Sequence, residues 1–172
     1  MRLALQHPAK VAGLAVLDAS AEVEVLAKRV KYRAFLAMHR RIGFPYSLYE
    51  KEVVPEMFSS RTPVEHPELV EASYRRAMGF DRGGMTRAGI AVLVHRKNIL
   101  PEISRIRAPT LVMCGADDQA TPPQRSEAIA RAIPRAKLVV IDGVGHMSAI
   151  EDPAAVNAHL VPFVGKCLED AG

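Results

Sequence analysis

The fold is decided by the stretch Pro109-Thr110-Leu111-Val112-Met113-Cys114-Gly115-Ala116-Asp117-Asp118 and by its counterpart Lys137-Leu138-Val139-Val140-Ile141-Asp142-Gly143-Val144-Gly145-His146. Each stretch joins a short apolar run to a polar turn that contains glycine. Each turn leads towards a segment of helical character, at Pro122-Pro123 and at Asp152-Pro153. A strand, helix, strand, helix order predicts parallel strands joined by crossovers, so the sequence is assigned to the α/β class.

The two turns present an acid and a histidine at the same edge of the predicted sheet, since both follow a strand's carboxyl end. An acid that accepts a hydrogen bond from one imidazole nitrogen fixes the tautomer of the ring. It also stabilises the imidazolium that forms when the other nitrogen takes a proton. His146 is the histidine, and the residue types alone leave Asp117 and Asp118 open as the acid. Gly143 and Gly145 allow a tight loop to turn the ring inward.

The remaining chain divides into core segments and an insertion. Residues 1–18 and 106–172 are predicted to form the core, with a short first helix that ends at His7-Pro8. The run Val11–Leu17 is apolar without alternation, which is typical of a parallel strand covered on both faces. Residues 19–105 show helical patterns and no strong strand signal, so we interpret them as a helical insertion between two strands.

Two helix starts are predicted from capping patterns. Ser20 is expected to cap a helix whose first turn holds Glu22 and Glu24, where carboxylates suit the positive end of the helix dipole. Thr121 is expected to cap the helix that begins at Pro122-Pro123.

The composition excludes several classes of protein. With 172 residues, 49% of them hydrophobic and 24% charged, the chain matches a folded globular domain. Its net charge of +4 is not accompanied by basic residues interleaved with aromatic ones, so we expect no nucleic-acid binding. No apolar run is long enough to cross a bilayer, so we expect no membrane partner. Cys114 and Cys167 are too few to staple the fold and favour a cytoplasmic location, and no ligand spacing suggests a metal or another cofactor.

Three segments resemble the C-terminal part of the α/β-hydrolase fold family. The segment from Ile106 to Pro123 looks like that family's acid-bearing strand and turn, where the acid falls three residues after the glycine. This resemblance implies Asp118 rather than Asp117. The segment Asp142 to His146, followed by Glu151-Asp152-Pro153, is similar to the family's histidine loop and final helix.

A weaker match links residues 5–18 to the segment after the family's nucleophile elbow. The resemblance as a whole implies a partial α/β-hydrolase fold, in which parallel strands carry flanking helices. It also implies that residues 19–105 form a helical cap over the site, and that Asp118 and His146 are two members of a catalytic triad.

The third member of such a triad is missing from the sequence. The family places a serine, or sometimes Asp or Cys, in a Gly-x-Ser-x-Gly elbow, and the 172 residues contain no such motif. Cys114 ends an apolar strand and is interpreted as a small buried side chain, while Ser148 is interpreted as a local hydrogen-bonding residue on the histidine loop. We therefore expect a truncated gene product, a fragment or one half of a split protein, with the nucleophile outside this chain.

Two functions are compatible with this sequence. The resemblance implies esterase-like or lactonase-like hydrolysis of a small ester or lactone, with His146 as general base and then acid and Asp118 as its orienting group. An aspartate nucleophile would change the reaction to epoxide or haloalkane hydrolysis. The alternative is a non-catalytic remnant or interaction half, which would bind a second copy or a complementary N-terminal half through its exposed sheet edge.

Overall fold

The computed structural model describes residues 1–170, and its sheet is parallel throughout. Within these residues three strands form the sheet in the order β1 (Leu14–Leu17), β2 (Thr110–Gly115) and β3 (Ala136–Ile141). Val16 lies opposite Val112, and Val112 lies opposite Leu138, so the strands are aligned across the sheet. The parallel arrangement and the α/β class confirm the prediction from the strand–helix order.

Helices cover both faces of this sheet. α1 (Arg2–Gln6) and a 3-10 turn at Pro8–Lys10 precede β1, α8 (Pro123–Ala132) connects β2 to β3, and α9 (Ser148–Glu151) and α10 (Pro153–Glu169) follow β3. Helix α10 starts at Asp152-Pro153 as the sequence predicts, and Asp152 caps it by accepting a hydrogen bond from the Ala155 amide at 2.8 Å. Helix α10 continues through Pro162 to Glu169. No helix within residues 1–170 combines the length and apolar character needed to span a membrane.

The core has one layer on each face of the sheet. β2 is buried along its whole length, because it is flanked by strands on both sides and by helices on both faces. Its alternate side chains separate accordingly: Val112 packs in the cluster that contains Ile129 of α8, whereas Leu111 and Met113 pack with Val156 of α10. This central position fixes the turn that follows Gly115.

β1 differs from its prediction in length and in burial. The strand begins at Leu14 rather than at Val11, and a side chain at Gly13 would collide with Cys167 of α10, so the chain approaches that helix closely there. Ala15 is exposed and Leu14 and Leu17 are only partly buried. The expectation of a strand covered on both faces is wrong, because the exposed Ala15 shows that one face of β1 is open. Among residues 1–170 β1 pairs only with β2, so it is also an edge strand.

The segment between β1 and β2, residues 19–105, is helical and is called the helical segment below. It contains α2 (Leu26–Ile42), α3 (Tyr46–Glu52), α4 (Val54–Met57), α5 (Thr62–Glu65), α6 (Pro67–Gly79) and α7 (Arg82–Gly89), a π-helical turn at Ile90–Val94 and a 3-10 turn at Ile103–Arg105. It has its own apolar cluster around Phe44, Tyr49, Val54, Phe58 and Val70.

The predicted cap at Ser20 is wrong. Helix α2 starts at Leu26 with Val25 as its N-cap residue, and the Ser20 hydroxyl accepts a hydrogen bond from the Glu22 amide within a local turn. Glu24 lies before the helix and is buried between two arginines. Those distant partners outweigh the local capping preference.

Candidate active site

All three strands end at one edge of the sheet, and the polar residues that follow them converge there. Asp18 follows β1, Asp118 lies in the turn after β2, and His146 lies in the loop after β3. Parallel strands bring their carboxyl ends together, so residues that are far apart in sequence become neighbours. This edge is the candidate site.

Asp118 and His146 are in direct contact. Asp118 Oδ2 lies 2.9 Å from His146 Nδ1, and the Asp118 side chain is fully buried. With a proton on Nδ1 the ring donates to the carboxylate, which leaves Nε2 free to accept a proton. A charge-assisted hydrogen bond of this kind in a buried setting fixes the ring orientation and stabilises its charged form.

Asp117, the alternative acid, is placed elsewhere. Its amide donates to the Val144 carbonyl at 3.0 Å, and its carbonyl accepts from Gln119 Nε2 at 3.4 Å. These contacts anchor the backbone of the turn. The carboxylate that reaches the imidazole therefore belongs to Asp118.

Thr121 has a different role from the predicted helix cap. The N-cap residue of α8 is Pro122, while Thr121 binds the acid: its amide donates to Asp118 Oδ1 at 2.8 Å and its hydroxyl donates to Oδ2 at 2.9 Å. The Thr121 hydroxyl oxygen also lies 3.3 Å from His146 Nδ1. The buried carboxylate thus has three donors, and these offset the cost of burying its charge.

The surroundings of His146 favour its protonated form. Burial by itself lowers the pKa of the imidazole, but the hydrogen bond and charge of Asp118, helped by the charges of Asp18 and Glu56, outweigh burial and raise the pKa above its ordinary value. An imidazole in this state accepts a proton readily, as a general base must.

Close backbone packing fixes the histidine loop against the acid turn. A side chain at Gly115 would collide with the carbonyls of Val144 and Gly145, so glycine is required for this approach. Gly143 has φ 71°, a left-handed conformation that glycine adopts without strain. The prediction that the loop glycines permit a tight turn agrees with this geometry.

Glu151 connects the same loop to the helical segment. One carboxylate oxygen accepts from the Gly145 amide at 2.8 Å. The other accepts from the Ser59 amide at 2.8 Å and from the Thr62 hydroxyl at 2.6 Å. The sequence indicates Glu151 only as part of a motif, because its partners in the helical segment lie about ninety residues away.

A cavity of about 610 Å³ lies between the strand ends and the helical segment. His146 and Asp18 line its wall at the sheet, whereas Phe35, Phe44 and Leu93 are among the apolar residues that line it from the helical segment. Such a cavity suits an uncharged, largely apolar small molecule placed against the imidazole.

A buried ion pair forms part of the cavity wall. Glu24 accepts from Arg96 Nη2 at 2.8 Å and from Arg125 Nη2 at 3.2 Å, and its side chain is only 4% exposed. Arg125 also donates to the Ser20 hydroxyl at 3.0 Å. These contacts join the helical segment to α8 and hold one side of the cavity in place.

The candidate nucleophiles within the chain are placed as structural residues. Cys114 is fully buried in β2, and burial raises the pKa of its thiol, so it is poorly suited to form a thiolate. The Ser148 hydroxyl donates to Asp18 Oδ2 at 2.6 Å, so Ser148 is a hydrogen-bonding residue, but its partner lies 130 residues away in sequence and not in the same loop as expected. In the part of the chain that the structure describes, no group of three His, Cys, Asp or Glu side chains is arranged to hold a metal.

Comparison with known proteins identifies the same fold. A sequence model of the alpha/beta hydrolase fold matches residues 1–153. A 62-residue stretch is 39% identical to a protein of Pseudomonas savastanoi provisionally named as the carbamate hydrolase RutD, and it covers 36% of this chain and 24% of that protein.

Two solved structures extend the similarity to nearly the whole chain. A thermophilic esterase from Thermogutta terrifontis superposes with a TM-score of 0.84 at 27% identity, over 95% of this chain and 59% of that one. The enol-lactonase from Burkholderia xenovorans superposes with a TM-score of 0.80 at 24% identity, over 95% and 60% respectively. The chain therefore spans about a quarter of the length of the curated relative and three fifths of each solved structure, and it belongs to the α/β-hydrolase family.

Proposed function

We propose that this chain carries the acid and the base of a hydrolase that acts on small esters or lactones. His146 is the general base and then the general acid, and Asp118 orients it and stabilises its charged form. The nucleophile of the triad is supplied from outside the 172 residues, and residues 19–105 act as a cap over the substrate. The observation that carries this proposal is the 2.9 Å contact between a fully buried Asp118 carboxylate and Nδ1 of His146.

The reaction follows from the protonation of the ring. Nε2 of His146 takes the proton of a nucleophilic hydroxyl as its oxygen attacks the carbonyl carbon, and the same proton then passes to the leaving alcohol oxygen. An acyl ester of the nucleophile remains, and water that His146 deprotonates attacks its carbonyl carbon. The proton then passes from His146 to the oxygen of the nucleophile, which leaves as a hydroxyl while the carboxylic acid is released. Asp118 stays ionised throughout and compensates the positive charge on the ring.

The ester and lactone substrate class has two supports. The cavity beside His146 is lined mainly by apolar side chains, which suits an uncharged carbon–oxygen substrate. The esterase that superposes at 27% identity shares the arrangement of this part of the fold. With an aspartate nucleophile, the Asp118–His146 pair would instead serve the hydrolysis of epoxides or haloalkanes. The two free, buried cysteines are compatible with the further proposal of a cytoplasmic location.

To test the proposal, the chain is combined with a segment that bears a nucleophile, and the segment encoded in the reading frame immediately upstream of Met1 is tried first. Hydrolysis of p-nitrophenyl butyrate and of a γ-lactone is then measured. His146→Ala should lower kcat by about 10³-fold or more. The matched control is His159→Ala, which alters an exposed histidine on α10 and should leave kcat unchanged. Ester hydrolysis that survives His146→Ala within tenfold would refute the proposal.

A second candidate function is assembly through the free edge of β1. The Leu14 amide donates to the Pro109 carbonyl just before β2, and the Asp18 amide donates to Met113 within it. By alternation the amides of Ala15 and Leu17 point away from the sheet. A strand of another chain could pair with this edge without disturbing the existing ladder.

Sedimentation of wild type and Ala15→Pro tests this candidate, because proline removes an outward amide and spares the bonds to β2. A dimer that the substitution converts to a monomer supports assembly through β1. A wild-type chain that stays monomeric at high concentration and binds no strand-bearing partner segment contradicts it.

A further inference from the structure

Asp18 has an unusual backbone conformation at the end of β1. Its φ is 46°, and among residues 1–170 no other residue apart from glycine has a positive φ. This left-handed region is disfavoured for residues with a side chain, although Asp tolerates it better than most. Such strain persists where the surrounding structure holds the residue in place, and it is concentrated at functional sites.

The Asp18 carboxylate connects the acid turn to the histidine loop. Oδ1 accepts from the Gly115 amide at 3.3 Å, and Gly115 lies three residues before Asp118. Oδ2 accepts from the Ser148 amide at 3.2 Å and from the Ser148 hydroxyl at 2.6 Å, and Ser148 lies two residues after His146. One side chain from the first strand thus holds together the ends of the other two.

The charge of Asp18 is also close to the imidazole. The ionisable groups that act on His146 come from three directions: Asp118 from the turn after β2, Asp18 from the end of β1 and Glu56 from α4. Burial raises the pKa of Asp18, while its hydrogen bond from Ser148 favours the ionised form. Asp18 also lines the cavity that His146 faces.

We propose that Asp18 is a positioning residue of this site, which fixes the histidine loop against the acid turn and places a second negative charge beside the His146 imidazole. The proposal rests on the function assigned above to Asp118 and His146. It assigns two separable effects to one carboxylate: the hydrogen bonds to Ser148 and Gly115 set the position of the ring, and the charge stabilises the imidazolium.

Nuclear magnetic resonance on the 172-residue chain separates these effects without any need for catalysis. Asp18→Asn removes the charge and keeps one of the two acceptor oxygens, so the hydrogen bonds from Ser148 can remain while the bond from the Gly115 amide is lost. Ser148→Ala keeps the charge and removes the shortest hydrogen bond. The matched control is Asp142→Asn, which neutralises an exposed carboxylate at the end of β3 and at the same edge of the sheet. Circular dichroism establishes that each variant folds.

The expected results differ between the variants. Asp18→Asn should lower the pKa of His146 by about half a pH unit or more, because a negative charge beside the imidazolium is lost. Ser148→Ala should speed hydrogen exchange at the residue 148 amide about tenfold or more, because the loop loses its anchor. Asp142→Asn should change neither quantity.

Each contrary outcome has its own meaning. A folded Asp18→Asn variant whose His146 pKa stays within about 0.2 unit of wild type, or shifts no more than in Asp142→Asn, overturns the charge assignment. Unchanged exchange in Ser148→Ala overturns the anchoring role. A wild-type chain in which His146 carries no proton on Nδ1 at neutral pH would instead undermine the proposed function itself, since the bond to Asp118 would then be absent.

Discussion

Replacing Glu151 should loosen the histidine loop and the helical segment together. The carboxylate accepts hydrogen bonds from the Gly145 amide, the Ser59 amide and the Thr62 hydroxyl, at 2.6 to 2.8 Å. Ser59 and Thr62 are buried, with exposures of 1% and 5%. Truncation to alanine would leave the Ser59 amide without its partner, whereas the Thr62 hydroxyl would keep the Ser59 hydroxyl at 3.0 Å. Glu151 is thus a partly buried side chain that couples these two parts of the fold, and a more exposed contact between them is that of Arg61 Nη2, which donates to the Gly143 carbonyl at 3.3 Å.

The expected loss of stability on replacing Glu151 follows from the number of its hydrogen bonds and from their burial. A hydrogen bond to a charged group contributes about 1.5–3 kcal/mol, and an unsatisfied buried donor costs about 1–3 kcal/mol. Water can enter the space left by a partly buried side chain, so the three contributions do not add fully. We expect Glu151→Ala to lower the free energy of unfolding by about 3–5 kcal/mol, and Glu151→Gln, which keeps one acceptor oxygen, by about 1–2 kcal/mol.

Urea denaturation followed by circular dichroism measures the change, and hydrogen exchange at the Gly145 and Ser59 amides locates it. Glu127→Ala is the matched control, because Glu127 forms an exposed pair with Arg131 four residues along α8. Such a pair contributes about 0.5 kcal/mol or less. A loss below about 1 kcal/mol in Glu151→Ala, or slow exchange retained at both amides, would refute the coupling role.

Four further substitutions test other parts of the chain. The raised pKa of His146 means that the stability linked to its protonation is fully present below the unfolded value of 6.5 and is lost as pH rises through the folded value. The difference in unfolding free energy between wild type and His146→Ala, measured by urea denaturation, should therefore become smaller as pH rises above 6.5. Gly115→Ala should destabilise the chain by about 2 kcal/mol or more in thermal unfolding, because the added methyl group meets backbone carbonyls. Its control is Gly165→Ala in α10, where the methyl group has open space and should be neutral or stabilising by up to about 1 kcal/mol. Glu24→Ala should cost about 3–5 kcal/mol in urea denaturation because it leaves two arginines without their buried partner, and a loss under about 1 kcal/mol would contradict the structural role of that ion pair.

Local sequence patterns were sufficient where neighbouring residues determine the structure. The apolar runs that became β2 and β3 are short, β-branched or aliphatic, and bounded by turns, so their position and parallel pairing could be predicted. The Asp152-Pro153 start of α10 follows from capping alone, because the Asp152 side chain and its amide partner are three residues apart.

Local patterns failed where a buried carboxylate determines the structure. Ser20 and Glu24 resemble the start of a helix, but Glu24 pairs with Arg96 and Arg125, which are 72 and 101 residues away in sequence. Thr121 resembles a cap, but the unmet hydrogen-bonding needs of a buried Asp118 take both its amide and its hydroxyl. In each case a carboxylate that folding buries takes donors from residues to which a local pattern gives another role, three residues away for Asp118 and far along the chain for Glu24. The burial of the carboxylate has no local signature.

The acid–histidine pair of Asp118 and His146 can be in place without a nucleophile. The contacts that orient His146 come from Asp118 and Thr121 after β2, and its loop is held by Asp18 and Glu151. All of these donors and acceptors lie within the described chain, so the pair is preorganised before any hydroxyl arrives. Orienting a reacting group can lower a barrier by about 7–11 kcal/mol. A chain that holds the base in place but presents no oriented nucleophile should therefore bind a proton as a triad histidine does, and yet hydrolyse esters no faster than free imidazole.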